Sequence, residues 1–547
     1  MTLNKLFSTH QSIIILSVIW LLAFILRTYH LGALPFNLME DEVLSGYIGR
    51  YILQNGLDLY GNTWPFWYFD KFGDYYIIGP MYLAGISTYI FGINEFAVRF
   101  PTAFFGSLIV FPVFVLSNLI FNKKIIAFFA SFLIAITPWH IALSRSTVEG
   151  IIGSTIFLSG ICFLLLFGKR LKIKFLVITT VLFFMSYMVY HPFRMYVPLV
   201  FLPVPFLFQK LKQSKKMLVQ LIIVCLGFVI LTVYISTTPW GSGRLEQTSI
   251  FSPLAGVERR IQEQIFATGE GKIFQARVFH NKVIGYSKEF ITQYLSYFSP
   301  NFLFTSFGAE SRYDIPDQGL LYYTYLLLLV MSIIPIKTAS VLINKNAAYY
   351  FIFLVLIAPI PAALTYYGSP NIHRSVLLSS LLAIPIALGL YKLWLIPFKR
   401  IITIGLFSII FTEFLFFWHQ YSVQSDVFTS LHRNDGYREM IKYVIQVQGE
   451  YDQVIIPAQG TTAIYYLFYS QIFDAAYAGK FQKDVRIDSI GKVQFVNESC
   501  PDILSSYPNG NILLVHRYDC SENTSLESIK QIRGKNDLLG FRLYSNK

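Results

Sequence analysis

Met39-Glu40-Asp41-Glu42 places three consecutive carboxylates just beyond the first apolar run, 12–29, and ahead of the amphipathic stretch Tyr47 to Leu53. A carboxylate at that position can act as a general base toward a hydroxyl or an amine, provided its neighbours keep it ionised and aimed. The same acids would also suit the first turn of a helix, where the backbone dipole favours negative charge. Asp70-Lys71-Phe72-Gly73-Asp74 lies in the same polar segment and offers one cation between two acids. A lysine there can bind phosphate as a point charge or serve a salt-bridged surface turn. A third set is cationic and falls at the ends of apolar runs: Arg99, Arg145, His191, Arg194, His373 and Arg374. Ionisable groups at such depths are costly, and an anionic lipid head group is the natural ligand for several of them together. Taken singly, each could instead snorkel to bulk lipid phosphates.

The elements that must position these residues are membrane helices. Of 547 residues, 54% are hydrophobic and only 14% charged, against about 25% charged in an ordinary soluble chain; the mean hydropathy is +0.51. A water-soluble fold is excluded. Runs of membrane length occur near 12–29, 101–121, 125–143, 151–168, 174–191, 196–208, 217–236, 319–336, 348–366, 375–391 and 401–420, which predicts about eleven spans. The net charge of +13 does not point to nucleic acid, because the basic residues collect in alternate short loops: Lys5, then Lys123 and Lys124, Lys169 to Lys174, Lys210 to Lys216, Lys337 and Lys345, and Lys392 to Arg400. The positive-inside rule makes these loops cytoplasmic, puts the N-terminus inside and places the polar segments on the outer side. The stretch 77–93 is apolar but contains Gly79, Pro80 and Gly85, and counting it as a span would invert every later basic loop; it is expected to be a juxtamembrane or re-entrant helix.

The chain therefore divides into a transmembrane part, 1–420, with outer loops 30–100 and 237–318, and an extracytoplasmic domain, 421–547. Aromatic residues from Tyr60 to Phe69 suit an interfacial belt or the wall of a ligand site. The run 254–298, with Arg259, Arg260, Lys272, Arg277 and Lys282 among apolar residues, is expected to lie along the membrane surface. In the tail, Gly436 to Val447 reads as an amphipathic helix, and 452–456 and 511–516 read as strands of a small α/β domain. Cys500 and Cys520 could pair there in an oxidising compartment or remain unrelated thiols. The sequence has no Gly-rich phosphate loop and no zinc-type Cys/His spacing, so soluble nucleotide chemistry is unsupported.

Several of these positions together resemble the GT-C membrane glycosyltransferases, in particular bacterial and archaeal relatives of protein O-mannosyltransferases and lipid A aminoarabinose transferases. The carriers are Asp41-Glu42, Arg99-Phe100-Pro101, Pro138-Trp139-His140 through Ser144-Arg145, Tyr190-His191-Pro192 through Arg194, Tyr294-Leu295, Phe298-Ser299-Pro300 through Arg312, and Gly319-Leu320, all within 1–420. The resemblance implies an all-α polytopic architecture in which Asp41 is the catalytic carboxylate and Glu42 stands beside it. It implies that Lys71, His191, Arg194, His373 and Arg374 bind the donor phosphate, with Arg99, Arg145, Glu310 and Arg312 in support. Lys71 departs from the aminoarabinose transferase pattern, since Phe72 rather than proline follows it, and the His-Pro-Pro of the protein O-mannosyltransferases is absent.

The implied reaction is an inverting transfer from a polyprenyl-phosphate sugar to a lipid, glycan or protein acceptor at the outer face of the plasma membrane. No cofactor or divalent metal is required for it, because a lipid phosphate is already a good leaving group. On this expectation Asp41→Asn abolishes transfer and Glu42→Gln does less harm. A polytopic transporter or lipid flippase is the rival class. Against it, the ionisable residues crowd the outer boundary, and Glu149 and Glu413 are the only acids within or at the edge of spans.

Overall fold

The computed structural model describes residues 9–547 except 72, 270, 309–310, 336–342, 397–398, 459, 483–484, 502–509 and 523–525. Most of the chain is helical, because long runs of Leu, Ile, Phe and Val can satisfy their backbone in a bilayer only within a helix or a closed barrel. Six helices among the described residues are long and apolar enough to cross a membrane: His10–Thr28, Glu95–Phe121, Glu149–Arg170, Lys215–Ser236, Lys345–Ala363 and Val376–Trp394. A bent pair, Lys124–Ile136 with Pro138–Ser144, makes up to seven. The other expected spans contain shorter apolar helices, Ile173–Tyr187, Pro192–Leu207 and Tyr323–Ile333, and the 21-residue helix Lys399–His419. Prolines account for part of the difference. Pro138 follows a 55° bend, and Pro198, Pro203 and Pro205 each remove a backbone donor within the run 196–208.

The first helix, α1 (Thr9–Thr28), leads into the outer segment that carries the acids. Helix α2 (Glu40–Asn55) starts where the sequence provides three acids for its first turn, and Gly56, at φ +71°, ends it. Helix α3 (Gly79–Phe91) has 13 residues, about 20 Å at 1.5 Å per residue and too short for a core of about 30 Å. α2 and α3 cross in contact at a pair of glycines. A Cβ on Gly49 would lie 1.9 Å from the Met81 carbonyl oxygen, and one on Gly85 would lie 2.4 Å from that of Gly49. Between α2 and α3 runs an antiparallel hairpin, β1 (Tyr68–Lys71) and β2 (Asp74–Ile77), with Lys71 opposite Asp74 and Phe69 opposite Tyr76.

In the second outer loop, helices Val257–Thr268, Ile273–Phe279 and Lys282–Ser296 leave Phe266, Phe274, Phe279 and Val283 exposed. The C-terminal region forms a six-stranded mixed sheet of order β4-β5-β3-β6-β8-β7, comprising β3 (Gln453–Pro457), β4 (Ser489–Ile490), β5 (Val493–Val496), β6 (Ile512–Arg517), β7 (Glu527–Arg533) and β8 (Leu539–Ser545). Strand β3 is parallel to both β5 and β6, and the remaining pairs are antiparallel. Its helices include Tyr437–Val447 and Thr462–Ser470, and Cys500 is bonded to Cys520.

This sheet region does not have a core of its own that stops at residue 421. Val43, Leu44, Tyr47, Ile48 and Tyr51 of α2 share one apolar cluster with Ile441, Val444, Ile464, Leu467 and Phe468. Polar ties cross the same boundary: the hydroxyls of Tyr47 and Tyr465 donate to the carbonyls of Ile472 and Leu38, both at close range (2.8 and 2.7 Å). The helix that begins with the acids is thus clamped between α3 and the C-terminal domain.

Candidate active site

Asp41 and Glu42 are adjacent in sequence, and a helix turns adjacent residues about 100° apart. That rotation separates their environments. Asp41 has 35% of its side chain exposed, whereas Glu42 is 1% exposed. Oδ1 of Asp41 accepts from the Tyr76 hydroxyl at 2.9 Å and from the Lys71 ammonium at 3.5 Å, and Oδ2 accepts from Arg312 Nη1 at 3.3 Å. The Lys71 ammonium also pairs with Glu40 at 2.8 Å. Although Asp41 reaches solvent, protein crowds it on its other sides. This burial tends to raise its pKa, but the charges of Lys71 and Arg312, with the Tyr76 and Lys71 hydrogen bonds, outweigh it and hold the carboxyl below the usual aspartate value.

Glu42 is saturated. Its two oxygens receive Arg99 Nε at 2.9 Å and Nη2 at 3.1 Å, Arg433 Nη2 at 3.4 Å, and the amides of Met39 at 2.9 Å and Thr147 at 3.1 Å. Burial would raise its pKa as well, but Arg99 first and Arg433 after it drive it below the usual glutamate value. No lone pair is left to face a substrate, so Glu42 is a buried clasp rather than a second base. Arg99 also donates to the carbonyls of Leu31, Pro35 and Asn37. Arg145 donates to those of Leu26, Tyr29 and Leu34. Both arginines therefore lock the segment between α1 and α2.

The hairpin has two working faces, as strand alternation requires. Phe69, Lys71 and Tyr76 face α2 and the carboxylates. On the other face Tyr68 and Tyr75 meet edge to face, and Tyr68 stacks on Trp240. The Tyr75 carbonyl accepts a hydrogen bond from His191 Nε2 at 3.1 Å, and Arg194 Nη1 lies 3.3 Å from His191 Nδ1. Arginine can only donate, so Nδ1 is the acceptor and the ring proton resides on Nε2.

His191 and Arg194 line a cavity of about 370 Å³ together with Arg374 and Thr365, on walls supplied by Met195, Pro198, Leu199, Ile235, Pro361 and Leu364. Arg194 packs over Trp240 at 5.4 Å, and among the described residues its buried Nη2 has no hydrogen-bond partner. Arg374 Nη1 donates to Thr365 Oγ1 and to the Tyr367 carbonyl, both at 2.8 Å. His373 stands against the Tyr313 ring at 4.3 Å between centroids and is not part of the cavity wall.

The structure thus brings together two of the expected groups, Asp41 with Lys71 and Arg312, and His191 with Arg194 and Arg374. It assigns Lys71 to the carboxylates rather than to the cavity, and Glu310 lies outside the described residues. Tyr76 and Arg433 were not among the expected residues. The alternation of the hairpin was a signal for Tyr76, but nothing local in sequence marks Arg433. Among the described residues no group of three or more His, Cys, Asp or Glu is arranged to hold a metal ion.

The family described as dolichyl-phosphate-mannose-protein mannosyltransferase matches residues 78–240, the segment that runs from the end of the hairpin through α3 to the cavity wall. No curated protein sequence matches the chain. Among solved structures, the archaeal oligosaccharyltransferase AglB from Archaeoglobus fulgidus, in complex with an inhibitory peptide and a dolichol-phosphate, is similar at a TM-score of 0.50 and 13% identity. That match covers 85% of this chain and 65% of that one, so this chain spans about two thirds of AglB. ArnT from Cupriavidus metallidurans bound to undecaprenyl phosphate is similar at a TM-score of 0.42 and 10% identity, over 99% of each chain. Residues 78–240 are thus similar to the mannosyltransferase family, and the fold of the chain as a whole is similar to that of AglB.

Proposed function

We propose that this protein is an inverting glycosyltransferase that takes a sugar from a polyprenyl-phosphate donor at the outer face of the plasma membrane. One observation carries the reading: the β1–β2 hairpin has an accessible, ion-paired carboxylate on one face and leads on the other to an apolar cavity lined by His191, Arg194 and Arg374. A prenyl chain suits the apolar walls, and a phosphate suits Nη2 of Arg194, which has no partner among the described residues. The matched family is named for dolichyl-phosphate-mannose, and AglB was solved with dolichol-phosphate, which supports the same class of donor. The Cys500–Cys520 bond fits an oxidising, extracytoplasmic compartment.

In the proposed reaction the acceptor oxygen or nitrogen attacks the anomeric carbon while the bond from that carbon to the phosphate oxygen breaks. The bonding pair departs with polyprenyl phosphate, the acceptor's proton passes to Asp41, and configuration inverts. Oδ2, whose hydrogen-bond partner is Arg312, keeps a lone pair for that proton. Arg194 and Arg374 stabilise the charge that develops on the departing phosphate. No divalent metal takes part in this scheme. The decisive assay incubates purified protein with radiolabelled undecaprenyl phosphate carrying mannose, glucose, galactose or aminoarabinose. Transfer or hydrolysis of at least one is expected, and inertness toward all, with no affinity for undecaprenyl phosphate, would overturn the reading.

Two further results are expected. Arg194→Gln and Arg374→Gln each weaken undecaprenyl phosphate binding by about 1.5–3 kcal/mol, the worth of a charged hydrogen bond, and weaken the sugar donor equally. Titration in detergent checks this, and unchanged affinity in both variants removes the phosphate from the cavity. Arg312→Gln deletes a cation that lowers the Asp41 pKa, so the pKa rises. Since the base must be deprotonated, the loss of kcat/KM on acidification then begins at higher pH than in wild type. A pH profile with an unmoved acid limb would separate Arg312 from the base.

A further inference from the structure

Arg433 ends the short helix Ser430–Arg433, just before the amphipathic helix of the C-terminal domain. Its side chain is buried, and each edge of the guanidinium goes to a different place. Nε donates to the Phe36 carbonyl at 3.4 Å, Nη2 to Glu42 Oε2 at 3.4 Å, and Nη1 to the Arg312 carbonyl at 3.1 Å. Phe36 and Glu42 bracket the segment that delivers Asp41. Arg312 is the residue whose side chain reaches Asp41 Oδ2. One rigid, planar group therefore holds the backbone of one partner of the Asp41–Arg312 pair and both flanks of the other.

The position of Arg433 is set in turn by the C-terminal domain. Asp435 accepts from the Ser430 hydroxyl at 2.6 Å, from the Gly436 amide at 2.9 Å and from Asn37 Nδ2 at 3.3 Å, and it also receives the amide of Lys535 between β7 and β8. The ionisable groups facing Arg433 are Glu42, Arg99, Asp426, Tyr313 and Tyr421, and those facing Asp41 are Glu40, Lys71, Tyr76 and Arg312.

We infer that Arg433 is a positioning residue: it holds Arg312 against Asp41 across the junction of the two outer loops with the C-terminal domain, so that this domain sets the geometry of the base. The inference rests on the proposed role of Asp41. It gives the C-terminal domain a part in the chemistry, although that domain supplies no side chain to Asp41 among the contacts described.

A double-mutant cycle tests it on the undecaprenyl-phosphate sugar that wild type consumes. Arg433→Lys keeps a charge for Glu42 but loses the three-way fork. It is expected to lower kcat by about 10-fold to 100-fold, the scale of a misplacement near 1 Å, to shift the acid limb of the pH profile upward as Arg312→Gln does, and to leave undecaprenyl phosphate affinity unchanged. In an Arg312→Gln background the same substitution is expected to cost less than in wild type, because the guanidinium that Arg433 holds against Asp41 is already gone. Costs that simply multiply, or an acid limb that stays in place, would overturn the positioning role.

Should Arg433→Lys fail to fold, Asp435→Asn loosens the turn and leaves the guanidinium in place. The same non-additive pattern at smaller amplitude is expected there, and independence from Arg312→Gln would again overturn the role. Turnover retained by Asp41→Asn would defeat the base assignment itself. An inactive Asp41→Asn with independent Arg433 and Arg312 would defeat only the positioning.

Discussion

Asp41→Asn lowers turnover by about 10² to 10⁴, the usual cost of losing general-base catalysis, while the melting temperature and the affinity for undecaprenyl phosphate stay near wild type. The selectivity of this effect follows from what surrounds the carboxylate. Asparagine has nearly the same volume, and its amide oxygen can still accept from Tyr76. Lys71 keeps Glu40 as a partner at 2.8 Å, and Arg312, with 39% of its side chain exposed, can be solvated by water. The cavity that is proposed to hold the phosphate lies beyond the hairpin and does not include Asp41 among its lining residues. Single-turnover kinetics, a thermal melt and a binding titration on one preparation check all three parts, and wild-type turnover in the variant would remove Asp41 from the mechanism.

Glu42→Gln is expected to act on a different quantity. Arg99 and Arg433 are both buried and share this one carboxylate, so its neutralisation leaves two guanidinium groups facing each other with no charge between them. Breaking a buried pair in this way costs about 3–5 kcal/mol. The protein is expected to accumulate poorly or to melt far below wild type, whereas whatever fraction folds retains its affinity for undecaprenyl phosphate. A melting temperature equal to that of wild type would show that the cluster carries no such load. The sequence suggests the opposite ranking for this residue, as a mild partner of the base. The difference arises because charge and spacing cannot tell which face of a helix turns inward.

That contrast indicates where sequence reading succeeds. Most apolar runs, the acids that start α2 and the strand patterns at β3 and β6 are all local, and each appears in the structure within a few residues of its expected place. Proline-interrupted runs are less legible, since the run 196–208 reads as one apolar stretch but falls in two helices, Pro192–Phe201 and Val204–Leu207, that together are shorter than a bilayer. The least legible features are contacts between distant segments. Arg433 lies 391 residues from Glu42 and 121 from Arg312, so no window of sequence contains the cluster. The shared core of α2 and the C-terminal domain was hidden for the same reason: each side reads as an ordinary amphipathic surface, and only the fold shows that the two surfaces cover one another. Lys71 illustrates a subtler limit, because a lysine suited to phosphate is equally suited to carboxylates, and its pairing depends on hairpin register.

The clamp on α2 also bears on the order of events during synthesis. Tyr47 and the carbonyl it binds at Ile472 are 425 residues apart, so at about 5–20 residues per second roughly 20–85 s pass between the ribosome making one and making the other. Throughout that interval the helix bearing Asp41 lacks a wall of its core, and Glu42 faces Arg99 without Arg433. A nascent chain therefore inserts its lipid-facing helices long before it owns an assembled base, and on the proposed reading it stays inert toward donor lipid until the far end of the polypeptide has folded back over the beginning.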